Sequence, residues 1–218
     1  MPATTRRKRV TKSPDDRRDD ILRAGQRVFG TTGFERATIS ELADAAEIGK
    51  GTFYLYFESK DHLLGALWER YVDGIVSTAQ EILDESDDWW PTIDRVMSAL
   101  VRHAVENAEL HRIVYGSANA KALELCRQAN QRVIDLMCAF VEEGTDAGAF
   151  RAADTRVAFR MAYHAADGLL DDLIGQDGEG PGVDERRVVT MVLELVHRAL
   201  GDHAYAPALL NPVATAAG

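Results

Sequence analysis

Cysteine is scarce in this sequence, since Cys126 and Cys138 are the only two among 218 residues. They lie on one predicted helix, and their spacing of twelve residues separates them by about 18 Å along its axis, so they cannot form a disulfide with each other. Such sparse use of thiols indicates a reducing compartment. No stretch reaches the ~18 apolar residues of a membrane span, and the N-terminus lacks the apolar core of a signal peptide. We therefore expect a cytoplasmic protein without membrane contacts.

The short motifs of common enzymes are also missing, namely Gly-x-Ser-x-Gly, His-Glu-x-x-His and Cys-x-x-Cys. Residues 49–52 read Gly-Lys-Gly-Thr and superficially resemble a phosphate-binding loop. That loop needs Ser or Thr directly after its Lys, where Gly51 stands, and it follows a strand, whereas a predicted helix precedes this segment. We expect no catalytic residues and no cofactor.

One helix face carries the best candidates for metal ligands, His164, Asp167 and Asp171, at i, i+3 and i+7. The spacing permits metal binding, but no second segment offers further ligands. Solvated or interfacial polar side chains are the favoured interpretation, so we expect no metal.

Alternating strand patterns and internal repeats are absent, while apolar residues recur at helical spacing along most of the chain. The sequence therefore predicts an all-α fold of about nine helices, a three-helix unit followed by a larger helical domain. Ser13, Thr38 and Ser59 are good N-cap residues for the first, second and fourth helices. The later helices are predicted at roughly 91–107, 109–115, 118–144, 154–174 and 184–200.

Charge divides the chain at about residue 60. Residues 1–60 hold 12 Lys or Arg against 9 Asp or Glu, whereas residues 61–218 hold 13 against 26. The first twelve residues alone carry five basic side chains and no acid, so we expect them to be a disordered basic arm when free. Phosphate attraction would be confined to the N-terminal end. An ordinary acidic protein with a basic start is the alternative interpretation.

Residues 38–57 have the pattern of a helix-turn-helix. Thr38 and Glu41 can form a capping box, and a short apolar stripe from Ile39 to Ala46 stops at a turn over residues 47–49. A second short helix begins near Lys50, and it can turn two phenylalanines inward. Its outer residues suit DNA: Lys for phosphate or guanine, Thr for phosphate or a thymine methyl, Tyr for phosphate, and Gly for close approach. A small helical hairpin with exposed tyrosines is the bland alternative.

This stretch resembles the signature of the tetracycline-repressor (TetR) family over about residues 17 to 70. The matching positions are Gly33, Phe34, Ala37, Thr38, Ile39, Leu42, Ala43, Ala46, Ile48, Lys50, Gly51, Thr52, Phe53, Tyr54, Tyr56, Phe57, Ser59, Lys60, Asp61 and Leu63. The resemblance implies that Thr38 and Lys60 position phosphates, and that Lys50, Gly51, Thr52, Tyr54 and Tyr56 lie on the recognition helix, with Lys50 and Thr52 reading bases. Gly49 departs from the Ser or Thr frequent at its position, so one phosphate contact is missing.

The resemblance also implies a sequence-specific transcriptional regulator of double-stranded DNA, a repressor released by a small-molecule effector, acting on a near-palindromic operator. It divides the chain into a basic arm (1–12), a helix-turn-helix DNA-binding domain (13–60), an effector-binding and dimerisation domain (61–203) and a mobile tail (204–218). A helical ligand-binding protein or enzyme that retains the helix-turn-helix as structure is the alternative.

Large adaptable side chains on presumed inner faces of the second domain are candidates for an effector cavity, and each suits plain core equally well. They are Trp68, Tyr71, Met97, His103, Tyr115, Met137, Phe140, Met161 and His164. A homodimer interface is predicted on the last two long helices, where each apolar stripe exceeds the needs of one core. These stripes are Val157, Met161, Ala165, Gly168 and Leu169, and Val188, Val192, Leu195, Val196 and Ala199.

Overall fold

The computed structural model describes residues 13–86, 88–117, 119–176 and 184–205. These residues form nine α-helices and no strand, which confirms the predicted all-α fold. The helices are α1 (Pro14–Thr32), α2 (Ile39–Ala45), α3 (Lys50–Tyr54), α4 (Lys60–Asp84), α5 (Trp89–Glu106), α6 (Ala108–Ser117), α7 (Ala120–Asp146), α8 (Thr155–Gln176) and α9 (Glu185–Ala199). The predicted basic arm, residues 177–183 between α8 and α9 and the predicted tail from residue 206 lie outside the described residues. Among the described residues, no helix is both long enough and apolar enough to cross a membrane.

Polar side chains begin the helices where the sequence predicts them. Ser13 and Thr38 each complete a capping box, and Ser59 accepts a hydrogen bond from the backbone N–H of His62. Such caps satisfy N–H groups that have no partner within the helix. The boundaries of these helices are therefore set by local chemistry.

The observed boundaries of the later helices differ from the predicted ones by one or two residues, and two of these differences have a local explanation. Helix α5 begins at Trp89 instead of Pro91, because proline is tolerated throughout a first turn whose N–H groups are free. Helix α7 continues through Gly144 to Asp146, and the chain turns at Gly148, where φ is +80°. Glycine suits this helical position because the ring of Phe150 packs directly onto it. A Cβ at Gly144 would lie 2.4 Å from that ring.

The first hydrophobic core joins the three N-terminal helices, α1 to α3, to the second domain. Phe29, Phe34, Phe53 and Phe57 are almost fully buried at its centre. The same core continues through α4, whose Trp68 is also buried, into α6 and the first half of α7. No break in packing separates the two domains within the described residues.

The second core lies between the far half of α4 and helices α5, α7, α8 and α9. At its edge the buried imidazole of His197 lies between two carboxylates, with Nε2 2.7 Å from Asp94 and Nδ1 3.1 Å from Asp202. Its ring stacks between the rings of Trp90 and Tyr205. This cluster ties the end of α9 to the start of α5.

The turn between α2 and α3 holds Glu47 in a left-handed conformation, with φ at 55°. The backbone N–H of Ile48 donates to the carbonyl of Ala43 at 3.0 Å, and that of Glu47 to Asp44 at 3.0 Å. This is a Schellman-type helix end, which usually has glycine in the left-handed position. The predicted turn is confirmed, and a residue with a Cβ occupies its most strained position.

Replacing Glu47 tests the cost of this conformation. Glu47→Gly should be more stable than Glu47→Ala by about 1 kcal/mol, because both remove the carboxylate and only glycine relieves the left-handed strain. Urea unfolding at equilibrium measures the difference. Equal stability of the two variants would mean that the turn relaxes and stores no strain.

Candidate nucleic-acid interface and ligand cavity

Helix α3 presents an exposed surface made of residues that the sequence predicts to contact DNA. Phe53 is fully buried and fixes the rotation of the helix, which leaves Lys50 and Gly51 exposed and Thr52 half-buried. The side chain of Tyr54 is 56% exposed. These four residues therefore lie on or beside one accessible face, as a recognition helix requires.

Two residues near this surface extend or modify the prediction. Tyr56 is half-buried and packs against the first core. Leu55, which sequence reasoning missed, is 82% exposed, and a large apolar side chain left in solvent at the end of α3 suits contact with a thymine methyl. Sequence periodicity gave no indication of Leu55, because this residue follows the last residue of a helix only five residues long.

The two predicted phosphate-positioning residues already make intramolecular bonds. Thr38 exchanges hydrogen bonds with Glu41 in the capping box. The ammonium of Lys60 donates to the carbonyls of Phe34 at 2.7 Å, Glu35 at 2.8 Å and Ala37 at 3.4 Å, which uses all three of its donors. Lys60 thus holds the segment before α2 against the start of α4, and its phosphate contact stays a prediction.

A cavity of about 40 Å³ lies between α4, α5, α7, α8 and α9. Three of the nine predicted effector residues line it, namely Trp68, Tyr71 and Met97. The other lining residues are Ile75, Leu100, Val101, Ala104, Asn130, Val133, Tyr163, Ala166, Asp167, Leu170 and Val192. The space holds little more than a water molecule in this structure.

The remaining predicted residues are dispersed around the domain. Tyr115 packs edge-on against Trp68 with ring centroids 5.6 Å apart, and Met137 is wholly buried in the second core. Phe140 lines a separate groove of about 370 Å³ beside Trp89. The other two, Met161 and His164, are exposed on α8. The structure does not bring these five to the cavity wall.

His103 lies between the cavity and a second groove of about 250 Å³ that runs between α4 and α5. Its ring lies 4.7 Å from that of Tyr71, and its Nε2 is 3.2 Å from the Tyr71 carbonyl. Ile75 and Leu100 line both the groove and the cavity. The two spaces are therefore separated only by side chains.

A buried chain of hydrogen bonds runs along one side of the cavity. Nδ1 of His111 is 2.8 Å from a carboxylate oxygen of Asp171, and its Nε2 is 2.8 Å from the hydroxyl of Tyr71. When Nδ1 donates a hydrogen bond to the carboxylate, Nε2 accepts a hydrogen bond from the tyrosine hydroxyl. Burial raises the pKa of Tyr71, so its hydroxyl stays protonated. The chain joins α4, α6 and α8.

Trp68 makes a second buried bond across the cavity. Its indole N–H donates to the side-chain oxygen of Asn130 on α7 at 2.6 Å. Sequence reasoning missed both Asn130 and His111, because their partners are 62 and 40 residues away in the chain. No local pattern could reveal either pair.

Asp167 is the unusual group of the cavity. Burial, and then the neighbouring carboxylate of Asp171, raise its pKa to about 6, while His111 opposes the rise. None of the hydrogen bonds found among the described residues involves the Asp167 side chain, although Asp171 is bonded to His111. Within the described residues no cluster could hold a metal ion, and His164 is exposed on α8 whereas Asp167 and Asp171 are half-buried.

The last two helices expose an apolar face that differs in part from the predicted stripes. Val157 and Met161 on α8 and Met191 and Leu195 on α9 are exposed. Of the predicted residues on α9, Val188, Val192 and Val196 are buried in the second core instead. Gly168 on α8 has open space around its Cα.

Comparisons with known proteins point to one family. A profile described as bacterial regulatory proteins, tetR family, matches residues 21–67, from α1 into α4. The uncharacterized HTH-type transcriptional regulator YvdT of Bacillus subtilis is 31% identical over 85 residues, 39% of this chain and 44% of that protein, so the chain spans less than half the length of that relative. The HTH-type transcriptional repressor KstR2 of Rhodococcus jostii is 24% identical over 162 residues, 72% of this chain and 79% of that protein.

Solved structures extend the likeness of fold beyond the matched N-terminal segment. The transcriptional regulator FadR from Bacillus subtilis, in complex with stearoyl-CoA, superposes with a TM-score of 0.68 at 18% identity. The superposition covers 84% of this chain and 98% of that one. The helical second domain therefore shares the architecture of FadR.

Asp167→Asn should stabilise the protein at neutral pH. The pKa of Asp167 lies near 6 against an ordinary value of 3.8, so the folded state favours the neutral acid, and stability falls as pH rises from about 4 through 6. Asparagine stays neutral, and we expect a gain of about 1 to 3 kcal/mol at pH 7.5 that vanishes near pH 4. Urea unfolding at both pH values measures it, with exposed Asp172→Asn as the control. A loss of stability at pH 7.5 would contradict the buried-charge account.

Proposed function

Because the chain belongs to the TetR family of bacterial regulatory proteins, we propose that it is a homodimeric repressor that a small-molecule effector releases from its operator. It acts on DNA in the cytoplasm. The observation that carries the proposal is the position of α4. This helix begins at the helix-turn-helix core with Leu63 and continues to Trp68 and Tyr71 at the cavity wall.

DNA recognition is assigned to α3 and its surroundings. Lys50 and Thr52 are proposed to read base edges in the major groove, and Gly51 to allow close approach of the backbone. Tyr54 and Tyr56 are proposed to contact phosphates, together with Thr38 and Lys60. The exposure of Lys50, Gly51 and Tyr54 supports this assignment. The basic arm would add phosphate contacts that carry no sequence information.

The dimer is proposed to form through α8 and α9. The exposed apolar side chains Val157, Met161, Met191 and Leu195 are spaced four residues apart on each helix, so each pair lies on one helix face. Two copies of this face can pack as a four-helix interface. A two-fold dimer presents two copies of α3 to successive major grooves, which requires a near-palindromic operator.

Effector coupling is proposed to travel through two contacts between the domains. A Cβ on Gly25 of α1 would lie 2.8 Å from the side chain of Leu63 on α4, so these helices touch closely. Gly30 of α1 lies against Glu109 of α6, the helix that also carries His111. A drug-sized ligand needs several hundred Å³, far more than the cavity offers, so its binding must displace α4 or its neighbours.

Such a displacement explains release in energetic terms. A ligand that binds only the expanded cavity shifts the equilibrium toward the conformation in which α4 has moved, and the DNA-binding helices move with it. Couplings of this kind are typically about 1–3 kcal/mol, a factor of roughly 5 to 150 in affinity. The stearoyl-CoA bound to FadR supports the view that this fold can enclose a ligand with a long apolar body.

DNA from upstream of the protein's own gene should give a specific complex in a gel-shift assay. Lys50→Ala should lower discrimination against random DNA by roughly 1–3 kcal/mol per half-site, because base contacts specify while phosphate contacts do not. Glu124, exposed on α7 outside the predicted DNA-binding domain, provides the control variant Glu124→Ala. Equal affinity of the wild-type protein for upstream and random DNA would count against the assignment, and full operator preference in Lys50→Ala would remove that residue from the reading set.

Met161→Glu should convert the dimer into a monomer. The Met161 side chain is 69% exposed in the single chain, and burying a carboxylate in an apolar interface without a partner costs several kcal/mol. The molar mass measured by light scattering at micromolar concentration should fall from about twice the chain mass of 24.0 kDa to one chain mass. Leu55→Glu is the matched control, since it also replaces an exposed apolar residue but should weaken only DNA binding. A dimeric Met161→Glu protein would place the interface elsewhere.

A further inference from the structure

The charge inventory of the cavity is unbalanced. Its described lining residues include the carboxylate of Asp167 and no Lys or Arg. The nearby Asp171 has its own partner, because His111 lies 2.8 Å away. Asp167 is therefore left as the one carboxylate of this wall to which no described side chain donates a hydrogen bond.

An ionised carboxylate in this position is unfavourable without a counter-charge. The side chain of Asp167 is half-buried, and even partial removal of a carboxylate from water is unfavourable unless a close partner compensates for it. The protein itself supplies none at Asp167. The simplest group that would complete the site is a positive charge carried by the ligand.

The rest of the wall suits the same charge. Trp68 and Tyr71 have ring centroids 4.5 Å apart, and Tyr163 lines the cavity from α8 beside Asp167. Aromatic faces attract cations, most strongly where water is excluded. The side-chain oxygen of Asn130 adds an acceptor in the same wall, although Trp68 already donates to it.

We propose that the effector is an amphipathic cation, an apolar body with one amine or quaternary ammonium group that pairs with Asp167. The inference rests on the proposed function in taking this cavity as the effector site. The apolar body extends past Ile75 and Leu100 into the groove of about 250 Å³ between α4 and α5. Rotation of these two side chains joins the groove to the cavity and gives the volume that a drug-sized ligand needs.

The carboxylates near the cavity also disfavour anionic ligands. A fatty acid or a phosphate-bearing ligand would bring a second negative charge toward Asp167 and Asp171, and like charges at close range repel. A neutral alcohol would meet no repulsion but would leave the carboxylate without a counter-ion. The three ligand classes are thus ranked by the structure, with the cation first.

Three probes with the same chain length separate these classes, namely decyltrimethylammonium, 1-decanol and decanoate. Isothermal titration calorimetry at pH 7.5, below the micelle concentration of each probe, should show the cation binding at least ~10-fold more tightly than the other two, since a tenfold preference is about 1.4 kcal/mol. Tighter binding of decanoate, equal binding of all three probes, or binding of none would overturn the proposal.

Asp167→Asn tests the pairing itself. It should weaken binding of decyltrimethylammonium by ~10-fold or more and leave 1-decanol within about threefold, because only the ionic contact is lost. Asp172→Asn, an exposed change on the same helix, should behave as the wild type. An Asp167→Asn protein that keeps full affinity for the cation would refute the pairing.

The pH dependence of cation affinity provides a second test, on the wild-type protein. At pH 5, below the pKa of about 6 of Asp167, the carboxyl group is mostly protonated, and cation affinity should fall by roughly tenfold while 1-decanol binding holds. The ionisable groups facing it are Asp171, His111, Tyr71, Tyr115 and Tyr163, and the phenols stay neutral because burial raises their pKa values. Unchanged cation affinity at pH 5 would contradict the proposal.

A gel-shift with the upstream DNA distinguishes this inference from the proposed function. If decyltrimethylammonium binds through Asp167 and dissociates the complex, both stand. If it binds through Asp167 and the DNA complex persists, the ligand class stands and ligand-controlled release fails.

Discussion

Helix α4 belongs to both hydrophobic cores, and this sharing constrains the whole molecule. Its first three turns pack against the phenylalanines of the DNA-binding helices, and its later turns pack against α5 and α7. Well-packed cores switch between discrete arrangements instead of deforming continuously. In the proposed function, a change at the cavity wall would therefore reach α3 through the continuous helix α4, with the contact between α1 and α6 as a second connection.

The cavity carries a cost that plain core would not carry. A neutral or apolar residue at position 167 would remove a half-buried carboxylate to which no described side chain donates a hydrogen bond, and we expect the protein to be more stable without it. Groups held in such unfavourable surroundings concentrate at functional sites, where stability is exchanged for binding. In our proposal, the same carboxylate that lowers the stability of the protein would contribute binding energy for a complementary charge.

Local signals predicted the fold well because each of them depends on residues that are close together in the sequence. The capping residues Ser13 and Thr38 and the stop near Glu47 gave helix boundaries close to the observed ones. The site was predicted less completely, since a helical stripe does not tell which residues face a cavity and which fill a core. Met137 and Met161 had equal standing in the sequence, and packing made one wholly buried and the other exposed.

The two cysteines of α7 limit the kinds of signal that the molecule can sense. Both are buried and free, and burial raises the pKa of Cys126 to about 12 and that of Cys138 above its ordinary value. Thiolates, the forms that react with peroxides and disulfides, are therefore almost absent at neutral pH. Oxidants and electrophiles that react with thiolates therefore have no reactive group at either cysteine.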